Sequence, residues 1–550
     1  MVRRPCAQLL LLLSTRISTV VSGAPLEQST FDAGAALQNH GLHVDQYPDL
    51  AKLANTSSNQ ACDIACSALE HHFGTDSVDR PDEVAYTAFV GNYWSAIQSD
   101  VHPYCVFKPS TPAAVSVLVL LSRFTQCPFA VKSGGHAAFA GASNIGGGIT
   151  VSFQNLTAIV LSADKKVASV QPGNTWGSVY STLQKDDVVV IGGRIENIGV
   201  GGLTTGGGIS FFSSLYGLAC DNVVAYDVVT AQGDIITANK TENPDLYWAL
   251  RGGGNNFGIV VNFHLETVPL RGGKMWGGSL LYQESSFDGV AKAFSATIDN
   301  ISQKDHRAGL WLAMAATNGT RLASVEHYYA EPDGQDSAAW SAWKDVAPAA
   351  ISDTRQNRIL TEYTKELEVQ NPNGRREMYY GLSVLASAEV LVAAKDIFYE
   401  EVGALENVPG ILPVLSCQGF TLPILEKMKK NGGNPLGLED AAAAGRAVYI
   451  VQIAAWWERP EDDTAVYSVT SKALSRIKAM SIERGAGSDY VYMNYASMFQ
   501  DVIASYGDEN KAKLKAIAAK YDPAGVFQTL QPGYFKLDRA PVPGSGHFSH

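Results

Sequence analysis

The 550-residue sequence predicts an α+β fold of two domains, and three observations support this. Between Cys105 and Val131 a helical pattern is flanked by two short apolar segments, and a glycine-rich loop follows the second of them. Two further glycine-rich segments follow before residue 260. From about Met275 the glycine density falls, and longer segments of alternating polar and apolar residues appear with helical segments between them. This change of pattern predicts an antiparallel sheet covered by helices as the second domain.

Composition and charge exclude several classes of protein. Hydrophobic residues make up 46% of the chain and charged residues 17%, which is typical of an ordinary globular protein. The net charge of −12 argues against a nucleic-acid partner, because such a partner requires a basic surface. No Cys-x-x-Cys or His-x-x-x-His spacing occurs, so we expect no metal site.

The N-terminus has the pattern of a secretory signal peptide over residues 1–23. Arg3 and Arg4 precede the apolar segment Leu9–Leu13, and small residues follow it. A membrane anchor is the competing interpretation, but Arg16 interrupts the apolar segment and a spanning helix needs about 20 apolar residues. We therefore expect a secreted protein without a membrane anchor.

Sequons and cysteines agree with secretion. Candidate glycosylation sites of the form Asn-x-Ser/Thr occur at Asn55, Asn155, Asn239, Asn300 and Asn318. Removal of the signal peptide would leave six cysteines, and an oxidising compartment favours one or two disulfides. The sequence leaves the pairing open, and the natural pool is Cys62, Cys66, Cys105 and Cys127.

The first half of the chain predicts a series of short elements. Residues 24–98 form a polar, partly helical lead-in. The strand from Cys105 is followed by a helix, because Ser110–Pro112 supplies a hydroxyl cap and a proline in the first turn. A second helix is expected from Thr175 to Leu183, with Asn174 as its cap.

The end of the chain predicts two helices and one aromatic strand. A helix is expected over residues 462–483 and a last one over Lys511–Lys520. Between them the aromatic segment Asp489–Tyr495 has the pattern of a strand. The tail from Arg539 is expected to lack fixed structure.

The first glycine-rich loop is the clearest candidate for a binding site. Ser133–His136 follows the strand Phe129–Val131, and small residues continue to Gly148. Glycines allow positive φ and leave backbone amides free to surround an anion, so this loop could bind a pyrophosphate. Its one reactive side chain is His136. Taken alone, the pattern also fits a flexible surface loop with an incidental histidine.

The third glycine-rich segment, Arg251–Gly258, does not fit a dinucleotide-binding turn. Such a turn follows a strand and opens a helix. Here the predicted helix 243–250 precedes the glycines and the predicted strand 259–261 follows them. The order is therefore inverted.

Six motifs in order carry a specific resemblance: Ser133–His136, Gly199–Gly208, Tyr216–Asn222, Asp245–Gly258, Asn494-Tyr495 and Asp522–Phe527. From about residue 100 to residue 535 the chain resembles the berberine bridge enzyme-like branch of the vanillyl-alcohol oxidase / p-cresol methylhydroxylase (PCMH) flavoproteins. The part from 100 to 270 is the most specific.

The resemblance implies a two-lobed α+β fold, in which a PCMH-type FAD-binding domain and an antiparallel-sheet substrate domain enclose FAD. The implied boundaries are 24–98 for the lead-in, 99–275 for the FAD-binding domain, 276–489 for the substrate domain and 490–538 for a segment that returns to the FAD lobe. The implied cofactor-binding residues are Ser133, Gly134, Gly135, His136, Gly141, Ser143, Asn144, Gly199, Gly201, Gly202, Thr205, Gly206, Asp221, Asn222, Ile259 and Asn494.

The resemblance also implies how FAD is attached. In such proteins the His of Ser-Gly-Gly-His is usually bonded to the flavin 8α-methyl group, and His136 occupies that position. Many members add a second link from a Cys four residues before the Gly-Val-Gly-Gly segment, where this sequence has Ile195. We therefore expect a single link, and Cys220 is no substitute, because it lies at the variable position of Ala-x-Asp-Asn. Ile198 stands where the family has the Val or Leu linked to dioxygen access, which leaves oxidase or dehydrogenase behaviour open.

Hydride transfer requires a base for the proton that leaves with it. Tyr495 matches the tyrosine that serves as base in the sugar-oxidising relatives. A phenol has an unperturbed pKa near ~10, so it would need cationic or hydrogen-bonding help to ionise. From spacing alone Tyr495 also fits a buried strand. Four other aromatic residues could line the pocket or the core: Trp456, Trp457, Tyr379 and Tyr380.

The leading hypothesis is a secreted FAD-dependent oxidoreductase that oxidises a small organic secondary metabolite, with dioxygen as electron acceptor and no obligate protein partner. One alternative is an oligosaccharide oxidase, which would release peroxide with simple sugars. The other is a flavin-retaining cyclase, whose product would keep the oxidation level of its substrate.

Overall fold

Three β-sheets and the helices packed on them form the part of the chain that the structure describes. The structure is a computed structural model, and it describes residues 31–50, 58–317 and 319–549. The predicted signal peptide over residues 1–23 and the sequons at Asn55 and Asn318 lie outside the described residues. The predicted α+β class is confirmed.

The first sheet has four strands in the order β1-β2-β4-β3. Its part of the chain contributes α1 (Ala33–Asn39), α2 (Ser58–Phe73), β1 (Val78–Asp79), α3 (Val84–Val90), α4 (Ala96–Ser99), β2 (Cys105–Phe107), α5 (Pro112–Thr125), β3 (Phe129–Lys132) and β4 (Ile149–Ser152). The predicted strand–helix–strand unit is β2-α5-β3, and β4 pairs in parallel with both of its strands. Helix α5 begins where predicted, because the Thr111 hydroxyl oxygen accepts a hydrogen bond from the Ala114 N–H at 3.2 Å.

Two disulfides fasten α2 to this sheet. Cys62 is bonded to Cys127, just after α5, and Cys66 is bonded to Cys105 in β2. The four cysteines named from the sequence therefore pair with one another, which confirms that prediction. The sequence separations are 65 and 39 residues. In the chain-entropy account, loops of this length stabilise the fold by about 4 kcal/mol each.

The second sheet has six strands in the order β5-β6-β10-β8-β9, with β7 also paired to β10. Its elements are β5 (Ile159–Leu161), β6 (Val167–Val170), α6 (Trp176–Leu183), β7 (Val188–Val190), α7 (Val200–Thr205), α8 (Ser213–Tyr216), β8 (Val223–Val229), β9 (Ile235–Asn239), α9 (Pro244–Ala249) and β10 (Ile259–Pro269). The predicted cap of α6 is wrong by one residue, since the N-cap is Thr175. The Asn174 side chain instead bonds to the Ser178 hydroxyl and the Gln171 carbonyl.

The third sheet has nine strands, eight of them in the order β14-β11-β13-β12-β17-β18-β16-β19, with β15 paired to β11. Its elements are β11 (Lys274–Gln283), α10 (Phe287–Gln303), β12 (Ala308–Thr317), β13 (Thr320–Tyr329), β14 (Ser352–Asp353), β15 (Gln356–Ile359), α11 (Leu360–Val369), β16 (Arg376–Leu385), α12 (Ala388–Val402), β17 (Leu412–Phe420), α13 (Leu422–Lys427), α14 (Glu439–Ala443), β18 (Val448–Trp457), α15 (Asp463–Glu483) and β19 (Gly487–Ser488). All its pairings are antiparallel, as predicted.

The two faces of the third sheet have different neighbours. Helices α10, α12 and α15 pack on one face. On β12, β17 and β18, every second residue faces a cavity on the other side: Trp311 and Ala313, then Val414, Ser416 and Gln418, then Gln452, Ala454 and Trp456. This alternation is the two-residue period of a strand. Within the described parts of the chain, no helix combines the length and the apolar character that crossing a membrane would need.

Two predictions for the C-terminal region are wrong. Residues 489–492 form no regular element and Met493–Tyr495 is a single turn, whereas a strand was predicted. The Tyr492 hydroxyl accepts hydrogen bonds from the N–H groups of Gly208 and Ile209, so the segment is held by side-chain contacts instead of a strand partner. After it come the last helices, α16 (Asp508–Tyr521) and α17 (Val526–Thr529).

The tail from Arg539 also has fixed contacts. The Val542 N–H donates to the Met498 carbonyl at 2.8 Å, and the Phe548 N–H donates to the Ser471 hydroxyl oxygen at 2.8 Å. These backbone groups find partners at Met498 and at Ser471, so the tail is ordered where disorder was expected.

The first and second glycine-rich segments touch each other through their backbones. A Cβ atom on Gly134 would lie 2.4 Å from the Gly199 nitrogen, and one on Gly199 would lie 2.2 Å from the Gly134 nitrogen. The Ser133 hydroxyl bridges the same two segments, since it donates to the Pro172 carbonyl at 2.6 Å and accepts from the Gly201 N–H at 3.1 Å. Both glycines are required because their partners are backbone atoms, which have no room to move aside.

We expect Gly134→Ala to lower the free energy of unfolding by about 1–3 kcal/mol, because the new methyl group separates the two loops. Denaturant-induced unfolding measures this change. Gly403→Ala is the matched control, since a Cβ at Gly403 has no neighbour within 4 Å. Equal stability of the two variants would contradict the close contact.

Candidate active site

A cavity of about 360 Å³ lies where the glycine-rich loops face the third sheet. On the loop side its wall is made mainly of backbone and small side chains, between Val131 and Ser143 and between Ile195 and Thr205. On the sheet side the wall is aromatic and amide-rich. Segment 492–496, with the turn that contains Tyr495, closes the wall between them.

His136 lies on the cavity wall with one ring nitrogen lacking a partner. Its Nε2 atom is buried and makes no hydrogen bond. The Trp94 indole stacks on the imidazole, with ring centroids 4.1 Å apart and planes 12° from parallel. Burial lowers the pKa of His136 to about 4. The imidazole is therefore neutral at ordinary pH and keeps a lone pair available for bonding.

The Tyr495 hydroxyl oxygen accepts two hydrogen bonds at the sheet side of the cavity. Arg194 Nη2 donates to it at 2.9 Å and Gln418 Nε2 donates at 2.8 Å. Arg194 Nη2 also donates to Gln418 Oε1 at 2.7 Å, so the three side chains form a closed set. Two donors, one of them cationic, stabilise negative charge on the Tyr495 oxygen. This is the cationic and hydrogen-bonding help that a phenolic base requires.

Arg194 keeps its charge in this buried position. Burial by itself would lower its pKa, but the facing hydroxyls of Tyr495, Tyr328 and Tyr492 raise the pKa overall. The guanidinium also lies 4.5 Å from the centre of the Trp311 ring. Contact with an aromatic face stabilises a cation, especially where water is excluded.

Asn494 links the turn before Tyr495 to the second glycine-rich segment. Its Nδ2 donates to the Leu203 carbonyl at 3.0 Å, and its side chain lines the cavity. Gly206 is needed for this contact, because a Cβ there would lie 2.1 Å from Asn494 Oδ1. Gly206 itself does not line the cavity.

The structure brings twelve of the predicted site residues to one cavity wall. They are Ser133, Gly134, Gly135, His136, Ser143, Gly199, Gly201, Gly202, Thr205, Ile259, Asn494 and Tyr495.

Gly141 and Asn144 lie behind the wall. Asn144 is fully buried, and its Nδ2 donates to the carbonyls of Gln98 and Val101. Gly141 packs against Gly533, where a Cβ would lie 1.9 Å from the Gly141 carbonyl oxygen. Both residues therefore shape the loop and do not face the cavity.

Asp221 and Asn222 also lie away from the cavity. Asp221 accepts hydrogen bonds from the Leu218 N–H and from Asn434, and burial raises its pKa to about 6. Asn222 donates to the carbonyls of Tyr216 and Leu218. These bonds fix the turn after α8. Asp221 and Asn222 therefore stabilise local structure and do not line the cavity.

Ile195, at the position where a second cofactor link would need a thiol, lines the cavity with an alkyl group, and Ile198 lines it as well. No cysteine is found among the described residues of the wall. Cys220 is a free thiol buried in the core behind it, and burial raises its pKa well above the ordinary value.

The residues present fit the FAD that the motifs imply. A Cβ at Gly202 would have no neighbour within 4 Å, so this glycine opens onto the cavity and leaves backbone groups accessible. The Nε2 atom of His136 is buried and has no hydrogen-bond partner in the protein, so it is free to bond to a cofactor. His136 and the turn that contains Tyr495 both line the cavity that would hold the flavin.

Four residues of this site were not identified from the sequence: Trp94, Gln98, Arg194 and Gln418. Trp94 and Gln98 lie in the predicted polar lead-in, and Gln418 lies near the end of β17, where no local signal distinguishes it. Arg194 directly precedes Ile195, the position of the second cofactor link in the family. This neighbourhood is the one sequence signal that could have identified Arg194.

Comparisons with known proteins agree with this site. Residues 103–239 match the family model of an FAD binding domain. An FAD-dependent monooxygenase of Cochliobolus heterostrophus is 34% identical over 502 residues, which cover 88% of this chain and 95% of that protein. The bifunctional solanapyrone synthase of Alternaria solani is 30% identical over 533 residues, which cover 96% of this chain and 98% of that protein.

A solved structure shows that the fold is shared. The BBE-like 1 protein of Physcomitrella patens superposes with a TM-score of 0.68 at 18% identity, over 88% of this chain and 99% of that chain. Together with the identity to full-length relatives and the motifs on the cavity wall, this shows what kind of protein the chain is. It belongs to the berberine bridge enzyme-like family of FAD-linked oxidoreductases.

Proposed function

We propose that this protein oxidises a small organic metabolite, with hydride transfer from a substrate carbon to FAD and proton transfer to Tyr495. The observation that supports this most directly is the Tyr495 hydroxyl, which shares a cavity with His136 and lies between Arg194 and Gln418. FAD supplies the two-electron acceptor. Arg194 and Gln418 orient the oxygen and stabilise charge on it, so Tyr495 can take a proton as the hydride leaves.

The substrate that suits this wall is uncharged or anionic. Among the described residues that line the cavity there is no Asp, Glu or Lys, and Arg194 is the one with a permanent charge. A cationic amine would find no counter-charge there. The sheet side offers ring faces and side-chain amides for a flat, oxygen-bearing molecule: Trp311, Tyr379, Trp456, Gln418 and Gln452.

Dioxygen is the proposed electron acceptor. The relative from Cochliobolus heterostrophus is named a monooxygenase, and that class of enzyme consumes dioxygen. Ile198, at the position linked in the family to dioxygen access, lines the cavity as an alkyl residue.

A single covalent link through His136 is the proposed mode of FAD attachment. The neutral imidazole with an unpartnered nitrogen supports it, and the Ile195 side chain in place of a thiol supports one link instead of two. Attachment would raise the flavin potential and assist hydride removal.

Secretion is proposed on the basis of the N-terminal pattern and the cysteines. The two disulfides suit an oxidising compartment. Of the sequons within the described residues, Asn155 is exposed and is the best candidate for a glycan, whereas Asn239 and Asn300 are half-buried.

We expect Tyr495→Phe to slow substrate-dependent flavin reduction by about 10²–10⁴-fold, because the variant loses the proton acceptor. The measurement is anaerobic bleaching of the oxidised flavin band in a stopped-flow instrument, with a panel of aromatic, allylic and sugar alcohols as substrates. Tyr490→Phe is the matched control, since the Tyr490 hydroxyl is buried, makes no hydrogen bond and does not line the cavity.

Three outcomes would contradict parts of this proposal. Equal reduction rates in the Tyr495 and Tyr490 variants would remove Tyr495 from its role. Reduction by simple sugars alone would favour the oligosaccharide oxidase. A product at the oxidation level of its substrate, formed without flavin reduction, would favour the cyclase.

We expect His136→Ala to release its flavin on acid precipitation, whereas the natural protein keeps its yellow colour in the pellet. The alanine removes the nitrogen to which the flavin is bonded. Spectra of pellet and supernatant measure this, and His264→Ala is the control, because His264 lies in the second sheet bonded to Ser169 and Asp227. Colour that leaves the pellet of the natural protein would disprove the covalent link.

A further inference from the structure

The segment Asn92–Ser99 surrounds the loop that contains His136. It belongs to the lead-in before the FAD-binding motifs, and none of its residues lines the cavity. Its contacts nevertheless reach both sides of His136. The segment is therefore placed to act on the imidazole from behind the cavity wall.

Trp94 fixes the plane of the imidazole. The indole is 3% exposed and stacks almost parallel on the His136 ring at 4.1 Å. Trp456 and Tyr379 pack around the same indole, at 6.5 Å and 5.0 Å between ring centroids. A ring that is stacked on one face and surrounded by aromatic residues has little freedom to rotate.

Gln98 fixes the backbone on both sides of His136. Its side chain is fully buried, and its Nε2 donates to the carbonyls of Gly135 at 3.3 Å and Ala137 at 2.6 Å. Its Oε1 accepts from both the N–H and the hydroxyl of Ser143. One side chain thus binds the residues before and after His136 and ties them to the far end of the loop.

The segment is itself anchored to the substrate domain. The Gly374 N–H donates to the Trp94 carbonyl at 2.9 Å, and the Ala96 N–H donates to the Arg375 carbonyl at 2.7 Å. These bonds lie just before β16, whose residue Tyr379 lines the cavity. Trp94 and Gln98 are therefore fixed relative to both the glycine-loop wall and the sheet wall of the cavity.

We propose that Trp94 and Gln98 are positioning residues for covalent attachment of flavin at His136. This inference rests on the proposed covalent link. A new bond joins a ring nitrogen of His136 to the flavin methyl carbon, while one C–H bond of the methyl group and the imidazole N–H bond break. Two electrons and two protons are left on the flavin, and dioxygen removes them as hydrogen peroxide. Correct placement of the nitrogen governs the rate of such a step.

The lowered pKa of His136 supports this role. Protonation would occupy the nitrogen that must form the bond, and burial beneath Trp94 keeps the imidazole neutral above about pH 4. Removal of the indole would admit water and bring the pKa back toward the ordinary value of about 6.5. Attachment in such a variant would then slow as the pH falls through that value.

The test follows attachment itself and does not depend on turnover. The full chain is purified from flavin-limited cells and mixed with FAD, and acid-resistant flavin is measured over time. We expect Trp94→Leu and Gln98→Met to attach flavin about 10–100-fold more slowly than the natural chain. We also expect the Trp94→Leu rate to drop about tenfold between about pH 8 and about pH 5.5, with no such drop in the natural chain. Trp94→Phe should restore most of the rate, because a phenyl ring can still stack.

Two matched controls separate positioning from general damage to the fold. Trp340 stacks on His327 at 4.3 Å in the substrate domain, so Trp340→Leu removes an equivalent stack far from the flavin loop. Gln500 is fully buried and bonds to the Gly381 backbone, so Gln500→Met removes an equivalent glutamine. Both controls should attach flavin at the natural rate.

The outcomes distinguish this inference from the function on which it rests. The positioning role alone would be overturned if the natural chain holds covalent flavin and the Trp94 and Gln98 variants attach flavin at the natural rate. Their attachment rates would then also be independent of pH. Equal slowing in the controls would also overturn it, because the effect would then come from the fold. No acid-resistant flavin in the natural chain would instead refute the covalent link.

Discussion

The hydrogen bond from Arg194 to the Tyr495 hydroxyl is the contact on which the rest of the site depends. Its two residues are 301 positions apart in the chain, and Gln418, which bonds to both, comes from a third region. Three distant parts of the chain therefore meet at one oxygen atom. Hydrogen bonds that involve a charged group stabilise a fold by about 1.5–3 kcal/mol, so this contact helps to hold these parts of the chain together.

A buried guanidinium without a carboxylate partner is costly, and its surroundings explain why it is tolerated. The Trp311 ring and three tyrosine hydroxyls take the place of a counter-ion around Arg194. Among the described residues that line the cavity there is no Asp or Glu, and the Arg194 guanidinium donates to the Tyr495 oxygen. The imidazole of His136, kept neutral by burial, adds no second charge to the cavity.

Local patterns predicted the part of the molecule that local geometry determines. The glycine-rich loops were found because backbone contact leaves no room for side chains, as at Gly134 and Gly199. The strand-helix-strand unit and its Thr111 cap followed from propensity, and the cysteine pool followed from compartment chemistry. His136 was identified because it is the one reactive side chain among small residues.

Contacts between residues far apart in the chain could not be predicted from local sequence patterns. Gln98 reaches residues 37 to 45 positions away, and nothing in a helix of four residues indicates that its glutamine is fully buried. The aromatic segment before Tyr495 alternates like a strand, yet no partner strand is present within the described residues, and the Tyr492 hydroxyl accepts hydrogen bonds from the N–H groups of Gly208 and Ile209 instead. Asp221 and Asn222 match a cofactor motif but serve a neighbouring turn.

The most direct test of this account is mass spectrometry of a proteolytic digest of the purified natural protein, with a search for peptides that gain the mass of FAD. The account predicts one modified peptide, and fragmentation should locate the added mass at His136. FAD mass on a peptide that contains Cys220, on two separate peptides, or on none in a protein that is yellow would contradict a single flavin bonded at His136 opposite Tyr495.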